Sequence, residues 1–317
     1  MTPPRPAVGI DDLRAAAARI RGHVHRTPVV TSATLDRELA ARVFMKCENL
    51  QKCGAFKARG AVNAVLALDD AEARRGVVTH SSGNHAAALA YAASVRGVPC
   101  AVVMPDNAPQ VKVLAVRGYG AEVVFCPPAE REAVCARVQQ QRGAVLVHPF
   151  EDLRVIAGQG TAALELFEDV PDLDLVVVPV GGGGLCSGTA IAAAAVRPQA
   201  RVLAAEPLAV DDAARSLATG VRQPRVDNPK TWADGLLTGL GAPNFAILLG
   251  AQVRVVTVDE PAIVAAARFV LERMKLVVEP SSAVVIAALR AIRDEVRGLR
   301  AGVVFSGGNT DFRWLDR

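Results

Sequence analysis

Short apolar runs alternate with segments of helical periodicity along most of the chain. Runs such as Pro99–Met104 and Glu122–Cys126 are typical of strands buried on both faces of a sheet. Each run is followed by a segment with Ala or Leu at helical spacing, and Gly97, Gly118 and Gly143 end three of these segments. Repeated strand–helix units of this size predict a parallel sheet with right-handed crossovers.

The predicted elements fall into two series. In the first, the strands are Arg42–Lys46, Gly76–Thr79, Pro99–Met104, Glu122–Cys126 and Ala144–Val147, and the helices are Phe56–Leu68, His85–Arg96, Gln110–Arg117 and Glu130–Gln141. In the second, the strands are Leu173–Val180, Arg201–Ala205, Ala251–Val258 and Ala301–Phe305, and the helices are Ile156–Phe167, Leu185–Val196, Asp211–Thr219, Pro261–Arg273 and Ser282–Arg297. The pattern predicts a two-lobed α/β protein with mostly parallel sheets and flanking helices. We place a small inserted domain at residues 71–150 and a large domain at residues 1–70 and 151–317.

Composition and charge narrow the class of protein. The chain has 317 residues, enough for one or two domains, and 51% hydrophobic but 4% aromatic residues indicate a core of Ala, Val and Leu. The net charge is +4, and the arginines are scattered over predicted helices without a row of aromatic partners. This pattern disfavours nucleic-acid binding.

The cysteines and the apolar stretches bear on the cellular compartment in which the protein is expected. Six irregularly spaced cysteines without a C-x-x-C pair disfavour zinc ligation and disulfides and favour a reducing cytoplasm. Residues Met1–Pro6 lack the apolar region of a signal peptide. The stretch Val176–Val196 is uncharged, but Pro179 and the glycines at 181–184 would leave backbone groups unsatisfied in lipid. We expect a cytoplasmic protein without a membrane partner.

Four consecutive glycines, Gly181, Gly182, Gly183 and Gly184, join a predicted buried strand to the helix that starts at Leu185. Their exposed N–H groups, at a helix N-terminus, suit a phosphate. The run lacks the third glycine of a dinucleotide-binding loop and is not followed by Gly-Lys-Ser/Thr. Hydride transfer and nucleoside triphosphate hydrolysis are therefore disfavoured.

Lys57 follows Phe56 at the start of a predicted helix, just after a glycine-containing turn. A lysine in that position can have a lowered pKa and act as a nucleophilic amine. The alternative is a solvated surface lysine.

Two further strand ends carry candidate ligands. The turn Ser81–His85 offers hydroxyls and backbone N–H groups to a carboxylate, and Asn84 offers a donor and an acceptor to a ring substituent. The alternative is an ordinary helix cap by Ser82. Ser306 ends the last strand and could bond a heterocyclic nitrogen, or lie in a tight turn that binds nothing.

Glu206, Asp212 and the carbonyl of Val210 lie close together just after a predicted strand. Hard oxygen ligands at this spacing suit Mg²⁺ or Ca²⁺, whereas solvated capping groups are the alternative.

Taken in order, these segments resemble the fold-type-II pyridoxal-phosphate enzymes, whose fold is that of the tryptophan synthase β chain, and in particular the serine racemase and serine/threonine dehydratase branch. The resemblance runs from about His25 to Asn309 and is carried by the motifs Gly54–Gly60, Ser81–His85, Ala157–Thr161, Pro179–Gly184, Ala204–Pro207, Ala233–Gly235, Glu272–Lys275 and Ser306–Asn309.

The resemblance implies a role for each cofactor contact. Lys57 is then the lysine in Schiff-base linkage with the cofactor aldehyde. The cofactor set is Phe56, Lys57, Asn84, Gly181, Gly182, Gly183, Gly184, Leu185 and Ser306. In that set the glycines and the Leu185 N–H hold the phosphate, Asn84 bonds the ring hydroxyl and Ser306 meets the pyridine nitrogen. A neutral serine leaves that nitrogen largely unprotonated, which favours prompt loss of a β-leaving group.

The resemblance also implies a substrate site and a reaction. The substrate set is Ser81, Ser82, Gly83, Asn84, His85, Arg131 and Gly235. Lys57 takes the Cα proton, the β-hydroxyl leaves, and the product hydrolyses to a 2-oxo acid and ammonia. Ser82 matches the opposite-face acid/base of the racemases, and Phe150 resembles the dehydratases. Arg131 could bind a second substrate carboxylate, so 3-hydroxyaspartate stays open as a substrate.

The sequence therefore predicts a homodimeric ammonia-lyase that acts on serine- or threonine-type β-hydroxy amino acids with pyridoxal 5'-phosphate. In the same branch, Glu206, Val210 and Asp212 match an activating divalent-metal site. Amino-acid racemisation and 3-hydroxyaspartate dehydration are the alternative activities. The alternative from another class is a catalytically silent protein that binds a phosphorylated ligand.

Overall fold

The computed structural model describes residues 8–316, and within this range ten strands form two sheets. The strands are β1 Val29–Thr31, β2 Arg42–Cys47, β3 Val77–His80, β4 Cys100–Pro105, β5 Glu122–Cys126, β6 Val145–Leu146, β7 Leu175–Pro179, β8 Arg201–Pro207, β9 Arg254–Val258 and β10 Arg300–Phe305. The larger sheet has the order β1-β2-β10-β7-β8-β9, and the smaller has the order β5-β4-β3-β6. Every strand pair is parallel except β1 with β2. The predicted mostly parallel α/β fold is confirmed.

Fourteen α-helices connect these strands within the described range. They are α1 Ile10–Ile20, α2 Ala33–Leu39, α3 Lys57–Leu66, α4 Asp70–Arg75, α5 Asn84–Arg96, α6 Gln110–Gly118, α7 Arg131–Arg142, α8 Leu153–Asp169, α9 Gly184–Val196, α10 Asp212–Thr219, α11 Ala242–Gly250, α12 Glu260–Phe269, α13 Pro280–Ala291 and α14 Arg293–Val296. None of the helices in residues 8–316 combines the length and the apolarity needed to cross a membrane.

Helices cover both faces of the larger sheet. Alternate residues of β7 point to opposite sides, so that Leu175 and Val177 pack with α12 and α13, while Val176 and Val178 pack with α8 and α9. This is why β7 is an uninterrupted apolar run: it is buried on both faces. The smaller sheet is covered by α5 and α6 on one face and by α7 on the other.

Some helix boundaries differ from the prediction. The helix predicted at 282–297 begins earlier, because Pro280 is favourable in a first turn, and it is broken at Ile292 into α13 and α14. Helices α2, α4 and α11 were not predicted. Each is short, and its formation depends on tertiary packing: Leu35 and Leu39 of α2 are buried in the core of the larger sheet.

The parallel strands bring the candidate residues together. Strands β3, β7 and β10 run directly into the segments that begin at Ser81, at the glycine run and at Ser306. Ligands of open parallel sheets bind at the carboxyl ends of the strands. Strands β3 to β6 all lie within residues 71–150, and the domain boundaries themselves stay a prediction.

Candidate active site

A cleft of about 1130 Å³ lies at these strand ends, between the two sheets. Its walls contain every candidate cofactor and substrate residue named from the sequence. They are Phe56, Lys57, Ser81, Ser82, Gly83, Asn84, His85, Arg131, Gly181, Gly182, Gly183, Gly184, Leu185, Gly235 and Ser306. Segments far apart in the chain therefore share one cavity, as parallel strands with crossovers require.

The glycine run forms a turn that no larger residue could occupy. A Cβ on Gly182 would lie 2.2 Å from the Phe150 ring, and Gly183 has φ +93°, a left-handed conformation that favours glycine. Among the described residues, none accepts a hydrogen bond from the N–H groups of residues 181–185, although the four glycines are buried. Buried unpaired N–H groups at the start of α9 fit an anionic group such as a phosphate.

Lys57 opens α3 and extends into the cleft, where its Nζ donates a hydrogen bond to the Pro149 carbonyl at 2.8 Å. Nζ also lies 5.1 Å from the centre of the Phe56 ring. Burial lowers the pKa of Lys57 to about 8, against the opposing effect of the negative charge of Glu279. The alternative of a solvated surface lysine is therefore wrong.

The turn after β3 leaves hydroxyl groups available to a ligand. Ser81 Oγ accepts from the Gly83 N–H at 3.3 Å, and the N-cap of α5 is Gly83. The alternative of a cap by Ser82 is wrong, and its hydroxyl lines the cleft. The His85 ring is turned away, with Nε2 3.0 Å from the Val147 carbonyl.

Asn84 is held in a chain of side-chain hydrogen bonds. Its Nδ2 lies 3.0 Å and 3.1 Å from the two carboxyl oxygens of Glu279, and its Oδ1 accepts from Asn309 at 2.9 Å. An amide nitrogen has two N–H groups, so one remains for a ligand while the other bonds Glu279. Asn84 is thereby held in one orientation.

Glu279 is the functional candidate that the sequence reasoning missed. It is the N-cap residue of α13, yet its side chain makes no cap hydrogen bond and is buried in the cleft wall. Burial raises the pKa of Glu279 to about 7, and the charge of Asp234 acts in the same direction. In the sequence it precedes Pro280 and Ser281, which is an ordinary helix start. A carboxylate there looks like a cap, so no local signal distinguishes it.

Ser306 and Gly235 complete the walls. The Ser306 carbonyl accepts from the Phe56 N–H at 2.9 Å, which holds the end of β10 against the residue before Lys57. The Gly235 N–H donates to Ser281 Oγ at 2.8 Å.

The acidic group after β8 is separate from these walls. Glu206 accepts from the Ala213 and Ala214 N–H groups at 3.0 Å and 2.9 Å, and Asp212 accepts from the Leu240 N–H at 2.8 Å. Burial raises the pKa of Glu206 to about 8 and also raises that of Asp212. Within residues 8–316 no three His, Cys, Asp or Glu side chains are grouped as metal ligands. A cation here would need carbonyl and water oxygens as well.

A half-buried amine of lowered pKa that shares a cleft with an anion-binding turn defines a cofactor-dependent α/β enzyme. The family model described as "Pyridoxal-phosphate dependent enzyme" matches residues 20–307. The chain belongs to this family, and the predicted resemblance is confirmed.

Individual relatives agree with this assignment. The chain is 46% identical to the serine racemase of Dictyostelium discoideum over 99% of this chain and 98% of the relative. It is 48% identical to the beta-hydroxyaspartate dehydratase of Paracoccus denitrificans (strain Pd 1222), over 95% and 96%. The crystal structure of the threonine deaminase from T.th. superposes with a TM-score of 0.91 at 44% identity, over 96% of this chain and 99% of that one.

The raised pKa of Glu279 can be tested through its effect on the stability of the protein. Between pH 4.5, the usual pKa of a glutamate, and about 7, the folded chain keeps a proton on Glu279 that the unfolded chain has lost. The stability of the cofactor-free protein therefore falls as the pH rises through this window, by up to the order of 3 kcal/mol. Glu279→Gln removes this contribution, because an amide does not titrate. Urea unfolding at pH 5 and pH 7.5 measures it.

The matched control is Glu122→Gln, because Glu122 lies on the surface and its ion pair with Arg142 keeps its pKa below the usual range. That variant should keep the pH dependence of the wild type between pH 5 and pH 7.5. Equal pH dependence in wild type and Glu279→Gln would show that Glu279 does not carry a raised pKa.

Proposed function

We propose that this chain is an ammonia-lyase that removes ammonia from β-hydroxy amino acids of the serine and threonine type, leaving a 2-oxo acid. The observation that carries the proposal is the half-buried Lys57 amine, which bonds the Pro149 carbonyl in the same cleft as the anion-binding glycine turn. A silent binding protein would gain nothing from a lysine whose burial disfavours its charge. Relatives named threonine deaminase and beta-hydroxyaspartate dehydratase support the same chemistry.

The site has groups suited to each part of pyridoxal 5'-phosphate. The N–H groups of Gly181 to Leu185 would hold the phosphate, and Lys57 would bond the aldehyde carbon. Asn84 would meet the ring hydroxyl with its remaining N–H, and Ser306 the ring nitrogen. The bound cofactor supplies an electron sink that acidifies the Cα–H of the amino acid.

The chain's own residues then bind the substrate and move its proton. The turn at Ser81–His85 offers hydroxyl and N–H donors to the α-carboxylate at the start of α5. The Lys57 amine, with a pKa close to neutral pH, takes the Cα proton as general base. The Cα–H electron pair forms the Cα–Cβ double bond as the Cβ–O bond breaks, and the proton taken up by Lys57 passes to the leaving hydroxyl, which departs as water. The released enamine takes up water and loses ammonia.

Lys57 is tested with the holoprotein. Borohydride is expected to fix one phosphopyridoxyl group on Lys57, found by peptide mass spectrometry, and L-serine or L-threonine is expected to release a 2-oxo acid. Lys57→Ala should lose at least about a thousandfold in rate, because the base and the cofactor attachment are lost together. Lys52→Ala, five residues earlier, is the matched control and should keep the activity. A protein that takes up no cofactor and releases no oxo acid would contradict the proposal.

Racemisation is the second candidate activity. Ser82 is not the N-cap of α5 and it lines the cleft, so its hydroxyl is available to a ligand. A relative named serine racemase supports it. Ser82 would return a proton to Cα from the face opposite Lys57.

Ser82→Ala is expected to reduce interconversion of D- and L-serine at least about a hundredfold, since a general acid or base contributes that much, while elimination from L-serine changes far less. Chiral chromatography of the remaining substrate, together with oxo-acid release, separates the two rates. If both rates fall equally, Ser82 positions the substrate and is not the second acid/base.

We propose that Glu206, the Val210 carbonyl and Asp212 bind Mg²⁺ or Ca²⁺. Two buried carboxylates whose pKa values are raised by burial gain from a cation that offsets their charge. A chelator is expected to lower the melting temperature by several degrees and Mg²⁺ to restore it, whereas Asp212→Asn should make the melting temperature insensitive to both. A chelator without effect on the wild type would contradict the site. A cytoplasmic homodimer stays a prediction.

A further inference from the structure

One side chain joins the glycine turn to the segment that bonds Lys57. Asn244 lies in the first turn of α11 and is fully buried. Its Nδ2 donates to the Gly182 carbonyl at 2.7 Å and to the Phe150 carbonyl at 2.8 Å. The carbonyl of Pro149, one residue before Phe150, accepts from Lys57 Nζ. Asn244 therefore connects the turn that is proposed to hold the phosphate with the segment that holds the lysine amine.

The two partners fix the orientation of the Asn244 amide. Both are carbonyl oxygens, which only accept, and the two N–H groups of Nδ2 serve one each. In the reversed orientation, Oδ1 would face two carbonyl oxygens and repel them. Oδ1 itself is buried and has no hydrogen-bond partner among the described residues. A buried acceptor without a donor costs stability, so the gain from this residue lies in its two donated bonds.

The bond to Gly182 determines the direction of the next N–H group. The Gly182 carbonyl also accepts from the Gly241 N–H at 3.1 Å, so two donors hold it. In a planar trans peptide the carbonyl oxygen and the following N–H point in opposite directions. The Gly183 N–H is therefore directed away from Asn244. It is one of the unpaired N–H groups that are proposed to hold the phosphate.

The glycine turn needs such an external anchor. The Gly182–Gly183 peptide lies between two glycines, and its rotation meets little steric resistance. Rotation would turn the Gly182 carbonyl, which carries a partial negative charge, to the side where the Gly183 N–H now points. An oxygen there would repel an anion, so the donors on the Gly182 carbonyl decide whether the turn attracts a phosphate.

We propose that Asn244 is a positioning residue for the cofactor: it holds the Gly182–Gly183 peptide in the orientation that points an N–H group at the phosphate. The inference rests on the proposed roles of the glycine turn and Lys57, and it applies to any amino-acid substrate. Asn244 was not predicted from the sequence, because an asparagine just after Pro243 is ordinary at the start of a helix.

The experiment compares the dissociation constants of pyridoxal 5'-phosphate and of pyridoxal, which has the same aldehyde but no phosphate, for the full-length protein freed of cofactor. Asn244→Leu and Asn244→Ala both remove the two donors but differ in volume. In each variant the preference for the phosphorylated form is expected to fall about 10- to 100-fold, as the loss of a hydrogen bond to a charged group predicts. The affinity for pyridoxal should change far less. If one variant does not fold, the other decides.

The matched control is Leu248→Ala. Leu248 lies one turn further along α11 and is also fully buried, but its side chain has no hydrogen-bond donor. Its truncation leaves a cavity and lowers the melting temperature, yet the preference for pyridoxal 5'-phosphate over pyridoxal should stay at the wild-type value. A preference that falls equally in Leu248→Ala would assign the effect to a loosened α11 and overturn the inference.

The outcomes separate the inference from the proposed function. If L-serine or L-threonine releases an oxo acid but the Asn244 variants keep the wild-type preference, the inference is overturned and the lyase proposal stands. If the preference falls as expected but no oxo acid forms, the inference stands and the lyase proposal fails. If the wild type takes up no pyridoxal 5'-phosphate, inorganic phosphate decides: binding about tenfold weaker in Asn244→Leu supports the inference, and equal or absent binding overturns it.

Discussion

The position of Lys57 depends on a buried ion-pair network centred on Arg59, two residues further along α3. The Arg59 side chain is fully buried, and it bonds Glu48 through Nε and Nη2 at 2.7 Å and 2.8 Å. It also bonds Glu165 of α8 through Nη1 and Nη2 at 2.7 Å and 2.8 Å, and Lys46 of β2 meets the same carboxylate at 2.7 Å. Each of these charges would be costly to bury alone, so removing one partner leaves the others unpaired. The network therefore joins the end of β2, the start of α3 and α8. These three elements together fix the direction in which Lys57 extends from α3.

The same burial that makes this network necessary also prepares the cleft for proton transfer. Burial lowers the pKa of Lys57 to about 8 and raises that of Glu279 to about 7, so both groups can change protonation near neutral pH. An amine that is partly neutral can accept a proton, which a lysine with its usual pKa rarely does at neutral pH. Glu279 is held against Asn84, so its protonation state acts on the Asn84 amide, which lines the cleft. The cleft thus contains an amine and a carboxyl group whose pKa values both lie near neutral pH, and hydrogen bonds to the protein orient both groups.

Much of the fold and of the cofactor site could be predicted from the sequence, for reasons that individual segments show. Strand β7 and its glycine turn are recognisable because a buried parallel strand is apolar on both faces and because the turn excludes any side chain. The family motifs alone predict that Lys57 and Ser306 share one cleft. Glu279 and Arg222 could not be found in this way, because an acid before a helix and an arginine in a loop are both ordinary in their local context. Only the tertiary fold shows that the first is buried beside Asn84 and that the second faces the cleft.

The residues around Lys57 and those at the mouth of the cleft are held by different parts of this structure. The groups proposed to act on Cα lie at strand ends or at helix starts, where parallel ladders and the Arg59 network restrict their movement. Arg222 and Arg225 lie on an irregular loop outside both sheets, attached to the cleft wall through the Leu240 carbonyl and Gly239. Because no strand or buried ion pair depends on these two arginines, the charge at the mouth can change without displacing Lys57. The surroundings of Lys57 and the loop after α10 are therefore structurally independent of one another.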